Sequence, residues 1–85
     1  MIFLNNKLVR TDKAMISVFD HGFLYGDGIY ETVRAYDGTV FMLDEHIKRL
    51  YRSASLIQLN LHKNAGAIKK AVYQTLRANR LREAV

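Results

Sequence analysis

Four side chains that could bind a small anion recur at every second position of one short stretch. They are Tyr30, Thr32, Arg34 and Tyr36, which supply two phenols, a hydroxyl and a guanidinium. Alternate residues of a β-strand share one face, so these groups are expected to lie in a row. Such a row can hold a carboxylate by charge and hydrogen bonds. The same alternation also fits a strand whose polar face is only solvated, and the residues alone leave both interpretations open.

Three carboxylates in or beside this stretch, those of Asp20, Asp27 and Glu31, could serve acid–base chemistry. Asp20 and Asp27 lie in a glycine-rich segment, where carboxylates often hydrogen-bond the backbone of their own turn. Glu31 shares its strand face with the apolar Val33 and Ala35. It therefore needs a cationic partner or a hydrogen-bond donor from elsewhere in the protein.

Other catalytic or metal-binding patterns are absent from the sequence. The 3 histidines have no metal-ligand spacing on one helix face, and there is no cysteine to supply a thiolate. No serine lies in a nucleophile elbow, and there is no phosphate loop of the Walker type. We therefore expect no metal site.

The composition is that of one small globular domain. Of the 85 residues, 49% are hydrophobic and 25% are charged, which excludes a disordered chain. No apolar run is long enough for a signal peptide or a membrane span. Because the lack of cysteine suits the cytoplasm, we predict a cytoplasmic protein without a membrane partner.

The net charge of +5 raises the alternative of a basic module that binds nucleic acid. Much of this charge comes from Arg77, Arg80 and Arg82, near the end of a predicted helix, where cations interact favourably with the helix dipole. The aromatic residues are not interleaved with these cations as stacking platforms would be. We therefore favour a small-molecule ligand over nucleic acid.

Short strands joined by turns are predicted for the first half of the chain. Apolar residues flank Asn5-Asn6, which can form a two-residue hairpin turn. The strand that begins at Ile29 should end at the hairpin signal Asp37-Gly38, and residues 39–42 should return antiparallel to it. Connections of this kind indicate a mostly antiparallel sheet.

Two helices are predicted for the second half. Asp44, or Leu43 just before it, occupies an N-cap position. Apolar residues with a spacing of 3.6 follow it, at Ile47, Leu50, Tyr51, Ala54 and Ile57. Asn64 should cap a second helix that stops near Asn79. Strands followed by helices predict an α+β domain in which two helices pack on the sheet.

Residues 16–36, the following Asp37-Gly38 and the run Leu-Asp-Glu-His-Ile-Lys-Arg-Leu at 43–50 form a recognisable combination. It resembles the N-terminal region of the class IV (fold-type IV) pyridoxal-phosphate enzymes. That family contains the branched-chain aminotransferases, the D-amino-acid aminotransferases and aminodeoxychorismate lyase. The resemblance extends from Phe3 through at least Leu61, and it implies that the fold is the small N-terminal domain of such an enzyme.

The resemblance implies a role for each matching residue. From helix geometry alone Arg49, which shares a polar helix face with His46, would be a solvated surface residue. By resemblance Arg49 matches the arginine that holds the phosphate of pyridoxal 5'-phosphate, and paired guanidinium–phosphate bonds suit that role. Tyr30, Thr32 and Arg34 match positions that line the substrate pocket, so we expect Arg49 and Tyr30 to face a shared cleft. Tyr25 matches a loop tyrosine that reaches the site of the neighbouring subunit, although it could also be an ordinary buried aromatic residue.

One part of the family pattern has no match in this sequence. In the family, the lysine that binds the cofactor covalently and the carboxylate that pairs with the pyridine nitrogen lie in a second, larger domain. None of the lysines here matches that position. We therefore expect residues 1–85 to be part of the small N-terminal domain, inactive and without bound cofactor on their own. Ala84-Val85 could begin a further strand, and an unpaired edge predicts a homodimer or larger assembly.

For the parent enzyme, the predicted reaction transfers an amino group between a branched-chain L-amino acid and 2-oxoglutarate. Arg34 and the run at 19–26 are similar to the branched-chain group. Tyr30-Glu31-Thr32 is closer to the D-amino-acid aminotransferases, which remain an alternative together with aminodeoxychorismate lyase.

Overall fold

Two β-hairpins, one short helix and two longer helices make up the fold. The computed structural model describes residues 1–85. The strands are β1 (Ile2–Leu4), β2 (Lys7–Val9), β3 (Ala35–Tyr36) and β4 (Thr39–Val40). The helices are α1 (His21–Tyr25), α2 (Leu43–Leu56) and α3 (Ala65–Ala78), with one turn of 3₁₀ helix at Thr11–Lys13. None of the helices is long and apolar enough to cross a lipid bilayer.

Both predicted hairpin turns are confirmed. Strands β1 and β2 pair antiparallel around Asn5 and Asn6, whose φ angles of 49° and 75° are those of a tight turn. Strands β3 and β4 pair antiparallel around Asp37 and Gly38, with φ angles of 50° and 82°. Asparagine, aspartate and glycine tolerate this left-handed region better than other residues do, which is why the turns form at these positions.

The strand predicted from Ile29 is shorter in the structure. Only Ala35 and Tyr36 join a ladder: the carbonyl of Arg34 still accepts a hydrogen bond from the N–H of Phe41 at 2.7 Å, and no strand pairs with residues 29–33. The predicted alternation nevertheless persists in the burial of the side chains. Ile29, Glu31 and Val33 are half-buried and Ala35 is buried, whereas the residues between them are exposed.

Strand β3 has a second neighbour at the C-terminal end of the chain, as the sequence suggested. The backbone N–H of Ala35 donates to the carbonyl of Ala84 at 2.8 Å, and the N–H of Ala84 donates back to Ala35 at 3.3 Å. Arg82 binds the carboxylate of Asp37 beside this bridge. Residues 82–84 therefore extend the second hairpin by one antiparallel bridge.

The glycine-rich segment contains a helix that the sequence analysis missed. Asp20 caps α1 by accepting a hydrogen bond from the backbone N–H of Phe23 at 3.1 Å, so its predicted backbone role is confirmed. Gly26 ends the helix in the left-handed conformation, with φ of 65°. The prediction for Asp27 is wrong, because its carboxylate pairs with the imidazole of His21 at 2.9 Å and not with the backbone.

Helices α2 and α3 pack together over the second hairpin and close a small core. The N-cap of α2 is Met42, in the left-handed conformation, so the prediction of Asp44 or Leu43 as cap is wrong by one or two positions. The predicted cap of α3 is confirmed, since the side chain of Asn64 accepts from the N–H of Ala67 at 2.8 Å. Asn79 is the C-cap of α3. The central buried cluster consists of Ala35, Val40, Leu43 and Ile47.

Replacing Leu43 by alanine should lower the free energy of unfolding by about 2 to 4 kcal/mol, because it removes buried methyl groups and leaves a cavity. The matched control is Leu56→Ala at the other end of α2. Leu43 is 5% exposed and Leu56 is 82% exposed, so the same change at Leu56 should cost less than about 0.5 kcal/mol. Urea denaturation of both variants measures the difference, and equal losses would contradict this account of the core.

Candidate functional site

A three-residue cluster joins the extended segment 29–34 to helix α2. The Nε of Arg49 lies 2.9 Å from Oε2 of Glu31, and the Nη2 of Arg49 lies 2.7 Å from Oε1. The Nδ1 of His46 lies 2.7 Å from the same Oε1, and because a carboxylate oxygen can only accept, the Nδ1–H donates a hydrogen bond to it. Glu31 thus accepts hydrogen bonds from both residues. These are the cationic partner and the donor that its position among apolar residues predicted.

Local structure explains why these groups meet. His46 and Arg49 are three residues apart in α2, so their side chains lie on one helix face. Glu31 points at this face because Val33 packs against the core and Ala35 is fixed in β3, and alternate residues of an extended chain share a side. The backbone alternation and the helix period therefore bring a carboxylate opposite two donors.

The electrostatics of Glu31 follow from these contacts. The hydrogen bonds from Arg49 and His46 stabilise the ionised carboxylate and lower the pKa of Glu31 from 4.5 to about 2. The same contact with Glu31 raises the pKa of Arg49 above its usual value. The pair is thus ionised throughout the physiological pH range, and Arg49 keeps its cationic form.

Arg49 remains accessible to a ligand on its other edge. Its side chain is 58% exposed, against 15% for Glu31, and its Nη1 makes no hydrogen bond within the chain. A cavity of about 140 Å³ lies beside it, lined by Met42, Glu45, His46 and Arg49. The open edge of the guanidinium offers N–H groups to an anion, and paired bonds to phosphate oxygens are the interaction that suits it.

The predicted substrate-binding residues lie away from this cavity. Tyr30 is 84% exposed, and Thr32 and Arg34 are also exposed. No cavity in the structure is lined by both Arg49 and Tyr30, so this chain does not form the shared cleft that we expected. The reason is geometric: Glu31 takes the face that meets α2, and its neighbour Tyr30 points away from that face.

The remaining candidates lie on the surface. The guanidinium of Arg34 lies 5.5 Å from the centre of the Tyr36 ring, a cation–π distance, so the alternating row includes one internal contact. Tyr25 is 73% exposed in α1, with its ring 4.9 Å from that of His21. It is therefore not the buried aromatic residue that was the alternative interpretation.

His46 is the residue of this cluster that the sequence analysis did not assign to the site. A signal for it was present, because His46 shares a helix face with Arg49 and Glu31 required a donor.

The largest cavity, of about 510 Å³, lies elsewhere, between the first hairpin and α3, and includes none of the predicted site residues. Cavity size alone would thus point away from the charged cluster.

Titration of Glu31 should show the depressed pKa directly. We expect the side-chain carboxyl carbon of Glu31 to titrate near pH 2 in 13C NMR spectra of the folded protein. Because the folded pKa lies below the unfolded value, this group contributes stability above about pH 4.5 and loses it as the pH falls towards 2. Glu31→Gln should flatten the pH dependence of the unfolding free energy in that window. A midpoint near 4.5 in the folded protein would contradict the observed hydrogen bonds.

Comparisons with known proteins fit this geometry. The model of the family described as amino-transferase class IV matches residues 28–85. The "Putative branched-chain-amino-acid aminotransferase" of Methanocaldococcus jannaschii is 52% identical over 83 residues, which are 98% of this chain and 29% of that protein. The D-alanine aminotransferase of Staphylococcus haemolyticus is 40% identical over 80 residues, 94% of this chain and 28% of that protein. The aminodeoxychorismate lyase of Bacillus subtilis is 37% identical over 83 residues, 98% of this chain and 28% of that protein.

A solved structure is also similar. The T.th. branched-chain amino acid aminotransferase, complexed with N-(5'-phosphopyridoxyl)-L-glutamate, superimposes with a TM-score of 0.87 at 30% identity, over 93% of this chain and 28% of that one. The chain thus spans less than a third of the relatives that it matches. The α+β arrangement, the matched residues and these relatives together show that the chain belongs to the class IV amino-transferase family.

Proposed function

We propose that this chain is part of a pyridoxal-phosphate-dependent aminotransferase that transfers an amino group between a branched-chain L-amino acid and 2-oxoglutarate. The observation that carries the proposal is the cluster at Arg49, whose guanidinium is bound on one edge by Glu31 and open on the other. Residues 1–85 would form part of its small N-terminal domain. The lysine that binds the cofactor covalently would come from a larger domain outside these residues.

The residues present fit the phosphate end of the cofactor. Arg49 is cationic, has no hydrogen-bond partner at Nη1 and is held by three hydrogen bonds to the carboxylate of Glu31, which suits a residue that binds a dianion. Pyridoxal phosphate, when bound, supplies an electron sink that makes the bonds at the α-carbon of an amino acid labile. The part of this chain is to bind and orient: it would hold the phosphate at Arg49.

The exposed row on segment 29–36 is proposed as the substrate side. Arg34 can pair with a substrate carboxylate, and the hydroxyls of Tyr30 and Thr32 can donate hydrogen bonds to it. These groups are solvated in this chain, so we propose that the larger domain or a neighbouring subunit covers them and excludes water. Tyr25, exposed in α1, is suited to reach the neighbouring subunit of a homodimer.

The choice of a branched-chain L-substrate is supported by the relatives. The M. jannaschii protein is 52% identical and the T.th. enzyme is structurally similar, and both are named for branched-chain amino acids. A D-amino-acid substrate is the second candidate, favoured by the 40% identity to the S. haemolyticus enzyme. The absence of cysteine from the chain fits an enzyme of the cytoplasm.

The reaction can be tested on the full-length protein that contains this chain. With pyridoxal phosphate and 2-oxoglutarate, we expect L-glutamate from L-leucine, L-isoleucine or L-valine and no product from D-alanine. Chiral chromatography of the glutamate measures the outcome. D-glutamate from D-alanine would establish the second candidate, and formation of pyruvate without glutamate from aminodeoxychorismate would establish a lyase.

Replacing Arg34 by glutamine should raise the KM for the amino acid about tenfold or more, because a charge-assisted hydrogen bond contributes about 1.5 to 3 kcal/mol. The dissociation constant of the cofactor should stay unchanged, since Arg34 lies away from Arg49. Arg52→Gln is the matched control, an exposed arginine on α2 that forms no ion pair in the structure. An unchanged KM in the Arg34 variant would remove this residue from the substrate pocket.

A further inference from the structure

We infer that Glu31, together with His46, is a positioning residue that presents the open Nη1 edge of Arg49 to the cofactor phosphate. This inference rests on the proposed function, because it assumes that Arg49 binds the phosphate. It gives a defined role to Glu31, which was predicted only as an acid–base candidate in need of a partner, and to His46, which had no predicted role.

The contacts at Arg49 select one edge of a planar group. Glu31 occupies Nε and Nη2, at 2.9 and 2.7 Å, and these two nitrogens lie on the same edge of the guanidinium. The plane of the guanidinium is therefore fixed relative to α2, and Nη1 is the nitrogen left for another anion. A free arginine side chain would have to lose this rotational freedom when the ligand binds.

Glu31 can act in this way because it is itself held in place. Its side chain is only 15% exposed, and it also accepts a hydrogen bond from His46, which is 21% exposed. Two residues further along, Val33 packs against the core, and Ala35 is 4% exposed and paired with both Val40 and Ala84. The carboxylate thus extends from a fixed backbone, whereas Arg49 extends from an exposed helix face.

A different function for Glu31 is conceivable: it could occupy Arg49 only until a phosphate displaces it. The surroundings of the carboxylate argue against this. Glu31 lines a cavity of about 150 Å³ whose other walls are mostly apolar, including Val33, Leu43 and Ile47. A carboxylate that lost Arg49 there would keep its charge in a poorly solvated place, which is costly. Glu31 and the phosphate are therefore expected to use different edges of Arg49 at the same time.

The test separates the phosphate from the rest of the cofactor. In the full-length protein, the dissociation constants of pyridoxal phosphate and of pyridoxal, which lacks the phosphate, are measured by isothermal titration calorimetry. The dissociation constant of pyridoxal divided by that of pyridoxal phosphate is the ratio that reports what the phosphate contributes. We expect Glu31→Gln to lower this ratio about tenfold, the cost of ordering one long side chain on binding. Arg49→Gln should lower it further, and the double variant should match Arg49→Gln. Arg52→Gln is the control and should keep the wild-type ratio.

The outcomes distinguish a failure of the proposed function from a failure of the positioning role of Glu31. If wild-type protein shows no preference for pyridoxal phosphate over pyridoxal, the proposed function fails. If Arg49→Gln lowers the ratio and Glu31→Gln leaves it unchanged or raises it, the positioning role is overturned while the proposed function stands. Glu31→Asp keeps the charge but withdraws the carboxylate by one methylene, and it replaces Glu31→Gln if that variant does not fold, as judged by circular dichroism. The ratio should fall in this variant too, and a wild-type ratio would overturn the inference.

Discussion

The ion pair between Glu31 and Arg49 fixes residues 29–34 against helix α2, and the geometry of the charged cluster depends on it. It joins a backbone segment that has no ladder partner to a helix that is well packed. Apart from this pair, the segment is held by the hydrogen bond between His46 and Glu31, by the packing of Val33 against the core, and by the backbone bond from Phe41 to Arg34. The Glu31 side chain is 15% exposed and the Arg49 side chain 58% exposed, so the pair is intermediate between a surface salt bridge, whose effect on stability is usually small, and a buried one.

This contact also links structure to chemistry. An arginine that binds phosphate must be cationic and correctly oriented, and a neighbouring carboxylate that accepts two of its N–H groups secures both properties. The carboxylate has its own requirement, since a half-buried charge needs donors, and His46 supplies the additional one. The three residues therefore satisfy one another, and no polar side-chain atom of the core is left without a partner.

Local chemistry made much of the fold predictable from sequence. Asn5-Asn6 and Asp37-Gly38 tolerate positive φ, and Asn64 accepts a backbone hydrogen bond at the start of α3, so each feature is determined by a few adjacent residues. Features that depend on distant residues were not predictable in the same way. The strand from Ile29 lacks a partner in this chain, which no local pattern reveals. The start of α2 depends on Met42 adopting a left-handed conformation, although methionine has no intrinsic preference for it.

The site shows the same division. A role for Arg49 was predicted through a resemblance, and the requirement of Glu31 for a cation or a hydrogen-bond donor followed from its position among apolar residues. The pairing of Glu31 with Arg49 depends on how the extended segment lies against helix α2, and no local sequence pattern specifies that placement. The shared cleft that was predicted for Tyr30 and Arg49 is not formed by this chain, because Glu31 faces α2 and its neighbour Tyr30 points to the opposite side of the extended segment.

The bridge between Ala35 and Ala84 has a consequence for the order in which the protein acquires its structure. Nearly the whole second half of the chain lies between these two residues, so their hydrogen bonds close a long loop at a large cost in chain entropy. The hairpins and helices rely on neighbours in sequence and can form early, whereas this bridge must wait until α2 and α3 have been synthesised and packed. Until the bridge forms, the edge of β3 that faces Ala84 is unpaired and could accept another strand while the chain is still being synthesised.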